Sequence, residues 1–238
     1  MIITIDGPAG TGKSTVAHAL AQRLGLEFLD TGAMYRAAAL LSIDADIDPG
    51  AGATLADALR ERSMHFDWKS DPPALLLGDR DVTSRIRDRD VNERVSLVAR
   101  EAEVRSVLVE WQRRIGSDHP RLVTEGRDQG SVAFPDASIK FYLDARPDVR
   151  AQRRGDQLEQ AGRTVDRSEI LREIIRRDAI DSTRADSPLT QPPDAIAIDT
   201  SDMTLEQVVD RLESEVRAAL APFASGRKAP DRAAGARR

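Results

Sequence analysis

Residues 7–14 read Gly-Pro-Ala-Gly-Thr-Gly-Lys-Ser and fit the pattern G-x-x-x-x-G-K-[ST] at every position. The chemistry of such a run is capture of a nucleoside polyphosphate. Its glycines let backbone N–H groups turn inward on phosphate oxygens, and a helix starting near Lys13 adds the positive potential of its N-terminus. Gly7, Pro8, Ala9, Gly10, Thr11, Gly12, Lys13, Ser14 and Thr15 are therefore the expected donor-nucleotide site. Lys13 should reach the β- and γ-phosphates, and the Ser14 hydroxyl should ligate Mg²⁺. This is nucleotide binding; the reaction has to come from elsewhere.

Arginine supplies the second clue. The chain has 238 residues with 31 Arg against four Lys, and a net charge of −5. Arginine binds planar anions bidentately and lysine does not. In the segment 168–184, Ile170, Ile174, Arg177, Asp181 and Arg184 follow i, i+4, i+7, i+11, i+14 spacing. They share one helical stripe, apolar at its start and charged at its end. That is the pattern of a helix entering a ligand cleft, and equally of a salt-bridge run on a solvated face.

Several classes drop out. No cysteine is present, which excludes disulfides and thiolate chemistry, and three isolated histidines make no metal cluster. There is no apolar run of about 18 residues and no signal-peptide pattern, so a cytoplasmic protein without a membrane span is expected. The acidic balance argues against nucleic acid as a partner. A guanine-reading N-K-x-D motif is absent.

The positioning elements read as α/β. Short apolar strands are expected at 2–6, 27–30, 121–125, 138–144 and 195–199, in a mostly parallel five-stranded sheet. Helices are expected at about 13–24, 89–115, 147–161, 168–184 and 204–220. Residues 64–82 break the rhythm with three small strands and a Gly78-Asp79 hairpin turn, an antiparallel insertion. Residues 222–238 carry five basic residues and one acidic, and read as a disordered basic tail. Residues 1–221 then form one domain.

Four further runs make the chain specific. They are Leu29-Asp30-Thr31-Gly32-Ala33-Met34-Tyr35-Arg36, Glu125-Gly126-Arg127-Asp128-Gln129-Gly130, Phe134-Pro135-Asp136-Ala137, and Arg176-Arg177-Asp178-Ala179-Ile180-Asp181-Ser182-Thr183-Arg184. Together with the phosphate loop and the insertion, this set resembles the bacterial cytidylate kinase family over about residues 1–220. Gln129 departs from that family's pattern, which has an apolar residue there.

The resemblance implies a P-loop kinase fold with an acceptor-binding region at about 31–100 and a helical lid at about 150–166. It implies transfer of a phosphate from ATP to CMP or dCMP, with Mg²⁺, by a monomer. Arg36, Arg127 and Arg184 would hold the CMP phosphate, and Arg177 and Asp181 the ribose side. Ser96, Arg105 and Asp128 would read cytosine, and Thr31 and Tyr35 would line the acceptor pocket. Arg153 and Arg154 are the lid candidates, Arg153 catalytic beside Lys13, Arg127 and Arg184, and Arg154 on ATP. Asp30 would hold a Mg²⁺-bound water. The acceptor oxygen in such a reaction is already an anion, so no general base is needed and positioning plus charge neutralisation carries catalysis. Other P-loop kinases, for UMP, AMP or dephospho-coenzyme A, remain alternatives, as does a nucleotide-dependent regulatory module.

Overall fold

Strand β1 (Ile2–Asp6) alternates apolar and polar side chains after its first residue. In the computed structural model, which describes residues 1–160, 162–184 and 186–224, the two sets face opposite ways. Ile3 and Ile5 are fully buried in a core shared with Val16 and Leu20 of α1 (Lys13–Leu24) and Val208 and Leu212 of α8 (Leu205–Ala224). Thr4 and Asp6 point to the other side, against residues 129–130.

The other sheet strands are β2 (Glu27–Asp30), β6 (Leu122–Gly126), β7 (Ile139–Asp144) and β8 (Ile196–Asp199). The order is β2-β6-β1-β7-β8, and every pairing is parallel. Because side chains alternate across a strand, Phe28 and Val123 join the first core. Their neighbours Leu29 and Leu122 join a second core. That core lies with α2 (Thr31–Asp44), α3 (Gly52–Arg62), α4 (Arg89–Val98) and α5 (Ala102–Asp118). The five expected strands are present, and the sheet is wholly parallel.

The insertion is an antiparallel sheet of β3 (Met64–Asp67), β4 (Ala74–Leu77) and β5 (Arg80–Asp81). Gly78 takes φ 61° in the tight turn between its last two strands. After β7, α6 (Pro147–Gln160) and α7 (Arg167–Thr183) pack together through Ala151, Ile170 and Ile174. The lid expected at about 150–166 falls in α6 and the stretch leading to α7.

Three local readings are revised. The helix expected at 89–115 is two helices, broken at Ala99–Glu101. One continuous helix would carry the buried Val91, Val95, Val98 stripe onto Ala102 and Arg105, whereas the apolar residues stand at 104, 107 and 108. Helix α2, which is not among the expected helices, opens directly at Thr31 after β2, because the Asp30 carboxylate accepts the Ala33 N–H at 2.9 Å and caps the helix. Helix α8 runs to Ala224, three residues into the expected tail. Residues 225–238 lie outside the described residues.

Candidate active site

The donor loop leaves β1 through Gly7, Gly10 and Gly12, at φ 147°, 81° and 86°. A Cβ on Gly7 would overlap the Leu143 carbonyl of β7, so the loop needs both the glycine conformation and its missing side chain. Lys13 is buried and folds back, donating to the Pro8 carbonyl at 2.6 Å and toward Thr11 Oγ1 at 3.4 Å. Burial, and then the Arg127 guanidinium, lower its pKa. A buried cation beside another cation is set to take up an anion. Thr15 is exposed on the first turn of α1. Arg150 of α6 supports the loop from behind: it donates to the Ala9 carbonyl at 2.9 Å and pairs with Asp178 at 2.6 Å.

Ser14 Oγ donates to Glu125 Oε1 at 2.7 Å. Burial, and then the neighbouring Asp30 carboxylate, raise the Glu125 pKa. Asp30 caps α2 and stands 3.4 Å from Arg87. Thr31 is buried and donates to the Glu125 carbonyl at 2.6 Å, so it fixes the end of β6.

Three predicted acceptor residues converge around a fourth, Asp181, which is 5% exposed. Arg127 Nε donates to its Oδ2 at 2.9 Å, while Arg177 and Arg184 each stand 4.0 Å away. Burial pushes the Asp181 carboxyl up, but Arg127, Arg177 and Arg184 overcome it and hold the group below its usual value. Burial, then Arg127, lower the Arg177 pKa to about 10. Arg177 Nε and one Arg184 Nη are buried without a hydrogen-bond acceptor. Three cations around one carboxylate, with donors left over, match a missing dianion. The stripe read from the sequence of α7 runs from the core into this cluster: Ile170 and Ile174 are in the core and Asp181 is in the cluster.

Arg105 and Asp128 form a buried pair, each carboxylate and guanidinium at most 3% exposed. Arg105 also lies over the Tyr35 ring, 5.6 Å from its centroid. The Tyr35 hydroxyl is buried and unpartnered, and burial raises its pKa. Ser96, half-buried on α4, has no side-chain hydrogen bond among the described residues.

The lid candidates separate. Arg153 donates to Thr200 Oγ1 at 3.0 Å and to the Thr200 and Met203 carbonyls at 2.5 and 3.2 Å, on the turn after β8. Arg154 instead shares a cavity of about 180 Å³ with Arg36, Arg87 and Arg163. Arg36 is held there by the Asn92 side-chain oxygen. Burial, then Arg163, lower the Arg154 pKa, and burial also lowers that of Arg36.

Two buried carboxylates at the site were given no role in the sequence reading. Asp6 is fully buried and accepts the backbone N–H groups of Gln129 and Gly130 at 2.8 and 2.7 Å. Glu125 sits at the end of β6 against Ser14. The available signal was position: both end adjacent parallel strands, where α/β proteins bind their ligands.

The family model described as cytidylate kinase matches residues 3–218. A cytidylate kinase of Mycobacterium avium is 45% identical over 217 residues, covering 91% of this chain and 95% of that protein. One from Corynebacterium glutamicum is 47% identical over 215 residues, covering 89% and 92%. Among solved structures, an uncharacterized protein from Eubacterium ventriosum overlays with TM-score 0.50 at 12% identity, covering 92% of this chain and 99% of that one. That is a likeness of fold.

Proposed function

The chain belongs to the cytidylate kinase family, and from that premise we propose how its residues carry out phosphate transfer from ATP to CMP and dCMP. One observation carries the reading. Lys13 of the donor loop lies within the field of Arg127, and Arg127 is bonded to Asp181 in the cluster with Arg177 and Arg184. Donor and acceptor anions therefore meet at one pair of buried cations.

Residues 7–15 hold the ATP phosphates, and Lys13 releases its loop carbonyl for the transferring group. Arg36, Arg127 and Arg184 receive the CMP phosphate. Its oxygen attacks as an anion, so no general base is needed. Arginines on a transferring phosphoryl contribute roughly 10³–10⁵ in rate. Asp181 and Arg177 take the ribose side. Arg153 and Arg154, on the helix that borders the cleft, complete the donor side as the lid closes and excludes water.

Asp128, Arg105 and Ser96 face the base, with Tyr35 beneath Arg105. Cytosine offers an amino donor beside two acceptors, which suits a carboxylate next to a guanidinium. Uracil would turn an acceptor toward Asp128, a mismatch worth about 1–3 kcal/mol.

The site fits Mg²⁺. The Ser14 hydroxyl and the crowded Glu125 and Asp30 carboxylates are hard oxygen donors with surplus negative charge. Ser14 would hold the ion, and Glu125 and Asp30 its waters. When bound, Mg²⁺ supplies charge neutralisation at the β- and γ-phosphates. In this reading the enzyme acts as a monomer. Among the described residues no helix is long and apolar enough to cross a membrane, in keeping with a cytoplasmic enzyme.

An ADP-release assay over CMP, dCMP, UMP, AMP, GMP and shikimate tests the reading. CMP and dCMP should lead the panel. Equal or better turnover of any other acceptor would overturn it.

A further inference from the structure

The base-facing pair rests on a layer of buried polar groups that touches no substrate in the reading above. Asp128 opens a single wide turn of helix at Gln129–Ala133, and its carbonyl accepts the Val132 and Ala133 N–H groups at 2.8 and 3.1 Å. Any shift of that turn moves Asp128.

Anchors from three other elements hold the turn. Asp6, at the end of β1, takes both N–H groups at its start, Gln129 and Gly130. The fully buried Gln129 side chain donates to Gln112 Oε1 at 3.1 Å and accepts from Thr124 Oγ1 at 3.0 Å. Arg113 closes the far end on the Val132 and Ala133 carbonyls at 2.8 and 3.2 Å.

The placement of these anchors matters. Gln112 lies two turns along α5 from Arg105, on the same face. The Gln112–Gln129 bond therefore fixes the helix carrying Arg105 against the turn carrying Asp128. Asp6 is the last residue of β1, which β6 and β7 hold on either side, so its carboxylate anchors the turn to the sheet. A shift of the turn would leave the buried Gln129 and Gly130 N–H groups and the Gln129 side-chain amide without their acceptors.

We propose that Asp6 and Gln112 are positioning residues for base selection: they fix the turn 129–133 from outside the site and so hold Asp128 in register with Arg105. This rests on Asp128 reading the base. Misplacement of a polar contact by about 1 Å costs on the order of 10²-fold, so small displacements suffice.

The test compares Asp6→Asn, Gln112→Leu and Asp128→Ala with the parent. For each, kcat and KM are measured on CMP and on UMP, with the KM for ATP. The carboxamide of Asp6→Asn has one acceptor oxygen for two N–H groups. In both positioning variants the CMP-over-UMP preference should fall at least tenfold, with the KM for ATP within twofold of the parent. A purely structural role would depress both acceptors together and leave the ratio intact, which overturns the proposal. A matching rise in the KM for ATP overturns it too, since the effect would then run through the donor loop. Asp128→Ala separates the two readings. If it loses selectivity while the other variants keep theirs, only the positioning roles fall; if it keeps selectivity, the base-reading role falls and takes them with it. Should a variant fail to fold, amide hydrogen exchange in the parent decides: Gln129 and Gly130 must be protected well beyond Ser131, and rapid exchange there refutes the anchor.

Discussion

Asp181→Asn removes the sole carboxylate at the centre of three buried or half-buried guanidiniums. Arg127 is 2.9 Å away, and Arg177 and Arg184 are each at 4.0 Å. At an effective dielectric near 20, unit charges about 4 Å apart interact by about 4 kcal/mol, so Asp181, the carboxylate that acts on all three guanidiniums, offsets much of their mutual repulsion. Desolvation already offsets part of that attraction in the parent. Taking away one partner of a buried pair leaves the uncompensated charges, at a cost of roughly 3–5 kcal/mol. For a chain of this size that corresponds to a melting point lower by about 6–20 °C.

The same reasoning gives a second readout. Sulfate or CMP can replace the lost negative charge, and a ligand at about 100 times its Kd returns about 2.7 kcal/mol. Differential scanning calorimetry with and without sulfate should therefore show a large drop and a sulfate shift greater in the variant than in the parent. The sign with pH is fixed as well. Asp181 is held below its ordinary value of 3.8, so its stabilisation is present above that pH and lost as pH falls through the depressed folded-state pKa. The gap between parent and variant should persist from neutrality down to about pH 4 and close below it. A variant melting within about 2 °C of the parent, or an equal sulfate shift in both, would refute the view of Asp181 as the cluster's counter-charge.

Gly7→Ala places a Cβ on the Leu143 carbonyl at φ 147°, a conformation costing about 1–3 kcal/mol even without the overlap. ATP affinity by calorimetry should fall more than tenfold (roughly 1.4 kcal/mol or more), and unchanged affinity would contradict the loop geometry. Burial raises the Asp6 pKa from 3.8 to about 6, so the folded state binds its proton more tightly than the unfolded chain does. Parent stability relative to Asp6→Asn should therefore fall by about 3 kcal/mol as pH rises from 4 to 6.5, then stay level. A difference that is flat across that range would show that Asp6 titrates normally.

Much of the site is legible because it is local. The donor loop is eight consecutive residues whose backbone angles do the binding, and the structure holds Gly7, Gly10 and Gly12 as such a loop needs. The α7 stripe is legible for a similar reason, since helical spacing alone sets which residues share a face. The break between α4 and α5 was less visible, because Val98 and Val104 look like one run until the phase is tracked across Ala99–Glu101. Gln129 shows the reverse case. As a departure from the family pattern it looked merely tolerated, but its side chain joins Thr124 to Gln112 inside the protein.

Sequence alone determined the α/β class, the phosphate-loop motif, the insertion and the periodic stripe of α7. It did so through contiguous patterns: strand runs, glycine positions and helical periodicity. Tertiary structure decided which of those groups act on one another. Asp6 and Gln129 are 123 residues apart, and Ser14 and Glu125 are 111 apart. They meet because the strand order β2-β6-β1-β7-β8 places β1 beside β6 with their ends level, Asp6 opposite Gly126. A hydrogen bond falls off within a few tenths of an ångström, so no spacing along the chain can specify it until the sheet has fixed the register.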